Sequence, residues 1–126
     1  MSNEIRYNFG VSLTNGSLVD SYNTSSLTAN QTTAGIVRNV QTCLSASAQG
    51  DAINKGNVTT PAMAVFENLD SSNYIEIGIR DGGGTFYPFL KLLAGKQAGP
   101  MWLGTTAPYA RANTGNVKLF YIMYEL

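Results

Sequence analysis

Apolar and polar residues alternate with a period of two along most of this chain. In "IRYNFGVSL", Ile5, Tyr7, Phe9, Val11 and Leu13 fall on one face of an extended backbone, with Arg6, Asn8 and Ser12 on the other. That pattern predicts a half-buried strand, ended by the turn dipeptide Asn15-Gly16. A second strand region is expected over 35–48, followed by the turn cluster "GDAINKGN". From Pro61 onward strands are expected at 62–69, 74–80, 85–93, 100–104 and 117–126, separated by "DSSN", "DGGG", "AGKQAG" and "TTAPYARANTGN". Strand candidates thus recur about every ten to twelve residues with turn residues between them, the rhythm of an antiparallel sandwich or jelly roll. The expected fold class is all-β, a jelly-roll-like antiparallel β-sandwich of seven or eight strands in one domain, 1–126. Ile75, Ile77, Ile79, Phe86, Leu90, Leu119 and Tyr121 are its expected buried residues.

Three segments depart from plain alternation. Between Thr14 and Ala34, thirteen of twenty-one residues are Ser, Thr, Asn or Gln, and Asp20 is the single charge. The segment reads as a polar loop or extended arm, with room for a short strand near Leu18-Val19. A stretch that long is usually functional or ordered by a neighbour. Asp81-Gly82-Gly83-Gly84 joins two strand candidates and is followed by Thr85-Phe86, not by the Lys and helix of a phosphate loop. It is therefore read as a hairpin turn. Pro88 cannot donate to a ladder, so its strand is expected at an edge or at a bulge. The last strand is apolar on both faces. Val117, Leu119, Tyr121 and Met123 form one, and Phe120, Ile122, Tyr124 and Leu126 the other. Such a strand is either covered on both sides within the fold or meets another subunit.

Composition limits the chemistry. Only 13% of residues are charged, and eight basic and eight acidic residues cancel. The cations are scattered, with no stripe to neutralise phosphates, so no nucleic acid is expected. No apolar run approaches a membrane span, and "MSNEIRYNFG" lacks the order of a signal peptide. With no histidine and one cysteine, Cys43, neither a His-based catalytic triad nor an ordinary zinc site is available. No enzyme activity, metal or cofactor is expected. Glu67 and Glu76 lie on consecutive strand candidates and are the one carboxylate pair to weigh for glycoside hydrolysis. Solvated strand residues are the simpler reading of both. Tyr74, Phe86, Tyr87, Phe89, Trp102 and Tyr109 cluster in the second half and are read as sandwich core, not as a sugar platform.

The segments "AVFENLDSSNYIEIGIRDGGGTFYPFLKLLAGKQAGPMWL" and "YARANTGNVKLFYIMYEL" cover roughly half of the chain. They resemble a pattern in small all-β virion proteins of tailed phages. The resemblance implies a structural role in a phage particle, made in the host cytoplasm. Within a particle the composition favours a capsid decoration, or cement, protein on the capsid exterior, with the major capsid protein as partner and a homotrimer as the assembly. A tail or head–tail component, or a carbohydrate-binding module for host recognition, are the alternatives. On the decoration reading, Phe120, Ile122, Tyr124 and Leu126 are the expected oligomer interface. Asp20, Tyr22, Leu27 and Gln31 are the expected capsid contact.

Overall fold

A computed structural model describes residues 4–45 and 48–126. Its strands are β1 (Glu4–Tyr7), β2 (Gly10–Asn15), β3 (Leu18–Asn23), β4 (Leu27–Asn30), β5 (Ile36–Leu44), β6 (Asp51–Ala52), β7 (Pro61–Asn68), β8 (Ile75–Arg80), β9 (Phe86–Leu92), β10 (Gln97–Trp102), β11 (Tyr109–Ala112) and β12 (Asn116–Glu125). Among the described residues there is no helix. The described residues form twelve strands where seven or eight were expected. The additions are short strands or strands in the polar 14–34 segment, where alternation is weak. Ala46 and Ser47, within the second expected strand region, lie outside the described residues.

Two four-stranded sheets form the body, one in the order β10-β7-β12-β5 and the other β6-β11-β8-β9. All their ladders are antiparallel. From β5 to β12 the chain changes sheet at every step except β8 to β9. Ala64 and Phe66 of β7, Cys43 of β5, and Val117, Leu119, Tyr121 and Met123 of β12 form one core with Ile75, Ile77, Leu92, Ala110 and Ala112 of the opposite sheet. The fold is a β-sandwich, and period two explains it: one residue in two along β12 faces the other sheet. Asn68 is fully buried and ties the two sheets together. Its Nδ2 donates to the carbonyls of Asn73 (2.8 Å) and Leu92 (3.0 Å), and its Oδ1 accepts from the Asp70 N–H (2.9 Å).

The glycine cluster is a turn. Asp81 Oδ1 accepts the Gly83 and Thr85 N–H groups, and Gly84 takes φ +89°. Pro88 lies on an edge strand and beside a bulge, because Ile77 pairs with Leu90 while Gly78 pairs with Pro88, leaving Phe89 as the extra residue. At Gly78 a Cβ would fall on the Tyr87 carbonyl, so the bulge requires glycine.

One expected buried residue, Ile79, is placed otherwise, and Phe86 is buried at an unexpected place. Ile79 shares the inward side of β8 with Ile75 and Ile77 but is 42% exposed. At that end the sandwich opens into a cleft, and Ile79 lines it. Phe86 is buried, but on the outer face of its sheet, beneath the Arg111 guanidinium at 4.7 Å from the ring centroid. Leu90 is half-buried and packs against the core.

Phe66 has no exposed surface. Phe66→Ala is expected to lower unfolding free energy by about 3–5 kcal/mol in denaturant titration. Cys43 is equally buried, and desolvation, with Asp51 nearby, pushes its thiol up to about 12. It should react with a thiol reagent only at the rate of unfolding; rapid reaction with the native protein would contradict this core.

Candidate functional site

Residues 4–30 form an antiparallel ribbon outside the two main sheets. β1 pairs with β4 at its base, and β2 pairs with β3 toward its tip. Asn15 and Leu18 close the tip across the two-residue loop Gly16-Ser17. Gly16 has φ +59° at the first loop position, the place glycine holds in a type II′ hairpin turn. The single strand expected from Ile5 to Leu13 is interrupted at Asn8-Phe9. Opposite the break, Phe9 N–H donates to Thr24 Oγ1 and Thr24 N–H to the Phe9 carbonyl, both at 2.9 Å, so the ribbon continues across it.

The polar segment 14–34, expected as a polar loop or extended arm, holds the paired strands β3 and β4. Ladder hydrogen bonds use only backbone groups, so a run of Ser, Thr and Asn can pair once a partner strand is presented. Register sorts the tip into two faces. Val11, Leu13, Leu18, Asp20 and Tyr22 lie on one; Ser12, Thr14, Val19, Ser21 and Asn23 lie on the other. Every residue of β2 and β3 is exposed, including Val11 at 65% and Tyr22 at 62%. The expected half-burial of Val11 and Leu13 is therefore not met, because nothing among the described residues covers this end of the ribbon.

The base is held firmly. Phe9 meets the edge of Tyr7 (centroids 5.9 Å apart), and Tyr7 meets Trp102 of β10 edge-on (6.0 Å). At the ribbon's exit, Gln31 Nε2 donates to the carbonyls of Glu125 (2.8 Å) and Gly35 (3.0 Å). The Glu125 N–H donates to the Gly35 carbonyl at 3.0 Å. Glu125 Oε1 accepts from the Thr60 N–H and the Thr60 hydroxyl, each at 2.9 Å. Those Thr60 donors hold the Glu125 carboxyl below the usual glutamate range. Asp70 and Asp81 are lowered in the same way, chiefly by the N–H groups of Asn73 and Thr85 respectively.

The base meets the outer face of the β10-β7-β12-β5 sheet. Across that face run Ile36, Tyr124, Met63 and Trp102 in one row, and Val40, Phe120, Glu67 and Gln97 in another. Met63 is 1% exposed and Ile122 8%. The other part of the face is open: Ile36 and Val40 are exposed, and Arg38 stands 6.0 Å over the Phe120 ring. The expected interface residues divide accordingly. Ile122 is covered within the chain, Phe120 and Tyr124 are half-buried, and Leu126 lines a shallow hollow with Thr60, Leu103 and Thr105. β12 is thus central, between β5 and β7. Among the expected capsid contacts, Asp20 and Tyr22 are on the exposed tip. Leu27 lies at the base opposite Tyr7, and the Gln31 amide is engaged by the fold itself.

The carboxylate pair is not formed. Glu67 lies on the outer face of one sheet beside Gln97, whereas Glu76 lies on the outer face of the other, bound to Arg111 at 3.2 Å. Consecutive strands fall in different sheets here, which alternation cannot disclose. The aromatic cluster also divides. Tyr87, Phe89 and Trp102 are each about half exposed instead of filling the core. A cleft of about 270 Å³ lies between the free edges β9 and β10, lined by Ile79, Phe89, Met101, Trp102, Leu103 and Thr105. Comparisons with protein-family models, with curated proteins and with solved structures find no match to this chain.

A carboxylate whose folded value is depressed contributes stability above its ordinary value, about 4.3 for glutamate, and loses it as pH falls through the folded value. Unfolding free energy should therefore drop on acidification below that point. Glu125→Gln should remove part of the drop, seen as a shallower acid limb in stability measured from pH 7 to pH 3. An unchanged acid limb in the variant would show that the Thr60 contacts do not favour the ionised carboxylate.

Proposed function

We propose that this protein is a non-enzymatic structural component of a phage virion. In this reading it is a capsid decoration protein that binds the assembled head from outside, contacts the major capsid protein, and works as a homotrimer. The observation that carries the reading is the arm: a ribbon anchored at its base to a complete sandwich and uncovered at its tip. A two-stranded ribbon alone in water is marginally stable. Exposed apolar side chains gathered on one element mark an interaction site. The surrounding surface is poor in charge, so it can be desolvated against a neighbour at lower cost than a charged surface.

A clasp of this kind adds binding free energy to the closed shell and none to a ruptured one, which shifts the equilibrium by mass action. Attachment at several subunits raises the effective concentration of each further contact, so modest single contacts suffice. The half-exposed Phe89 and Trp102 lining the open cleft favour a second reading, a module that stacks on a host glycan. A glycan array with the purified protein separates the two.

The test replaces residues 11–22 by a two-residue Asn-Gly turn between Gly10 and Asn23, which already face each other in the ladder. The shortened protein should keep the unfolding midpoint of the body and lose affinity for particles. Particles carrying the intact protein should release DNA at a higher temperature than particles carrying the shortened one. Equal release temperatures, or location of the protein on the tail, would overturn the decoration reading.

A further inference from the structure

We infer that the apolar face of the arm docks on a second copy of this chain, on the open part of the outer sheet face at Arg38, Val40 and Phe120. The inference rests on the reading of the arm as an interaction element. It names a sister chain as the occupant of one arm face.

Three features of the molecule converge on that partner. First, the same sheet face already receives the base of this ribbon in cis, where Tyr7 meets Trp102 and Met63 and Ile122 are nearly excluded from water. The receiving face is therefore suited to a β-ribbon, and only part of it is used within one chain. Second, the uncovered parts match in character. The tip offers Val11, Leu13, Leu18 and Tyr22 on one face, and the sheet offers Val40, which is 47% exposed, beside the Phe120 ring. Strands of six residues give the tip a reach of about 20 Å. Third, the charges are complementary. Asp20 sits within the apolar face of the tip and is the one charge between Arg6 and Arg38. The β5–β12 part of the receiving face carries Arg38 and Lys118, while the Glu67 carboxylate, on the β7 side, accepts from Gln97. An acid that would oppose burial against a purely apolar surface finds cations there.

The tip and its receiving face are different surfaces, so the contact is head-to-tail. Such contacts close into a ring when the rotation between copies allows it. One arm and one receiver per chain leave the other face of the ribbon, Ser12, Thr14, Val19, Ser21 and Asn23, free to lie on another surface.

The experiment is a charge swap read by sedimentation of the isolated full chain over a range of concentrations. The wild-type protein should associate. Asp20→Arg and Arg38→Asp alone should each raise the dissociation constant by on the order of tenfold or more, since like charges are then opposed. The double variant should recover most of the wild-type association. Protection of the Cys43 thiol reports in each case that the sandwich is folded. A wild-type monomer at all concentrations, single variants that associate normally, or a double variant that fails to recover would each overturn the inference. No particle is used, so the result is independent of whether the protein binds a capsid.

Discussion

Strand β12 is the constraint on which the rest of the molecule depends. It pairs with β5 on one side and β7 on the other, so its backbone is committed along nearly its whole length. Its inward residues supply Val117, Leu119, Tyr121 and Met123 to the core, all without exposed surface. Its outward residues lie on the face that receives the ribbon base. Its final residue, Glu125, joins the ribbon exit to Thr60. A strand apolar on both faces fits these demands, since one side meets a sheet and the other lies partly covered, with Ile122 8% exposed and Phe120 and Tyr124 half-buried.

That arrangement divides the molecule into parts of unequal self-sufficiency. The body has two sheets, a dry core and Asn68 bridging them. The ribbon base has an aromatic chain from Phe9 through Tyr7 to Trp102 and the Gln31 amide. The tip has only its own ladder and a glycine turn. Stability in such a structure is not uniform, and elements with little buried apolar surface open at low free-energy cost. An element of this kind, rich in exposed Val, Leu and Tyr, would be a liability as a bare edge unless another surface meets it.

Much of the body was legible from period two alone. Ile75 and Ile77 alternate onto the core, the "DGGG" turn joins β8 and β9, and Pro88 marks an edge and a bulge. What escaped has physical causes. Alternation shows which side of a strand is apolar but not which sheet the strand joins, so Glu67 and Glu76, on consecutive strand candidates, could be weighed as a pair although they lie on opposite outer faces. It also does not show where a sheet outruns its cover, which is why Ile79 faces a cleft, nor where a bulge turns a residue such as Phe89 out of the alternation. The arm's pairing was the largest omission. Its signal was present in Asn15-Gly16 flanked by Val11, Leu13 and by Leu18, Asp20, Tyr22, each spaced by two. The abundance of Ser, Thr and Asn obscured it, because those residues favour loops when no partner strand is presented. Asn68 and Glu125 carried no pattern, since a buried polar group is identified by its partners and not by its neighbours in sequence.

The central claim is that a self-sufficient sandwich presents a ribbon tip completed only by a partner. Amide hydrogen exchange tests it most directly, on the protein at high dilution and again at the highest concentration attainable. The account predicts that β12 amides exchange only through global unfolding under both conditions. It also predicts that β2 and β3 amides exchange quickly when dilute and become protected on association. Tip amides as protected at high dilution as at the highest concentration, or β12 amides exchanging as fast as the tip, would contradict it.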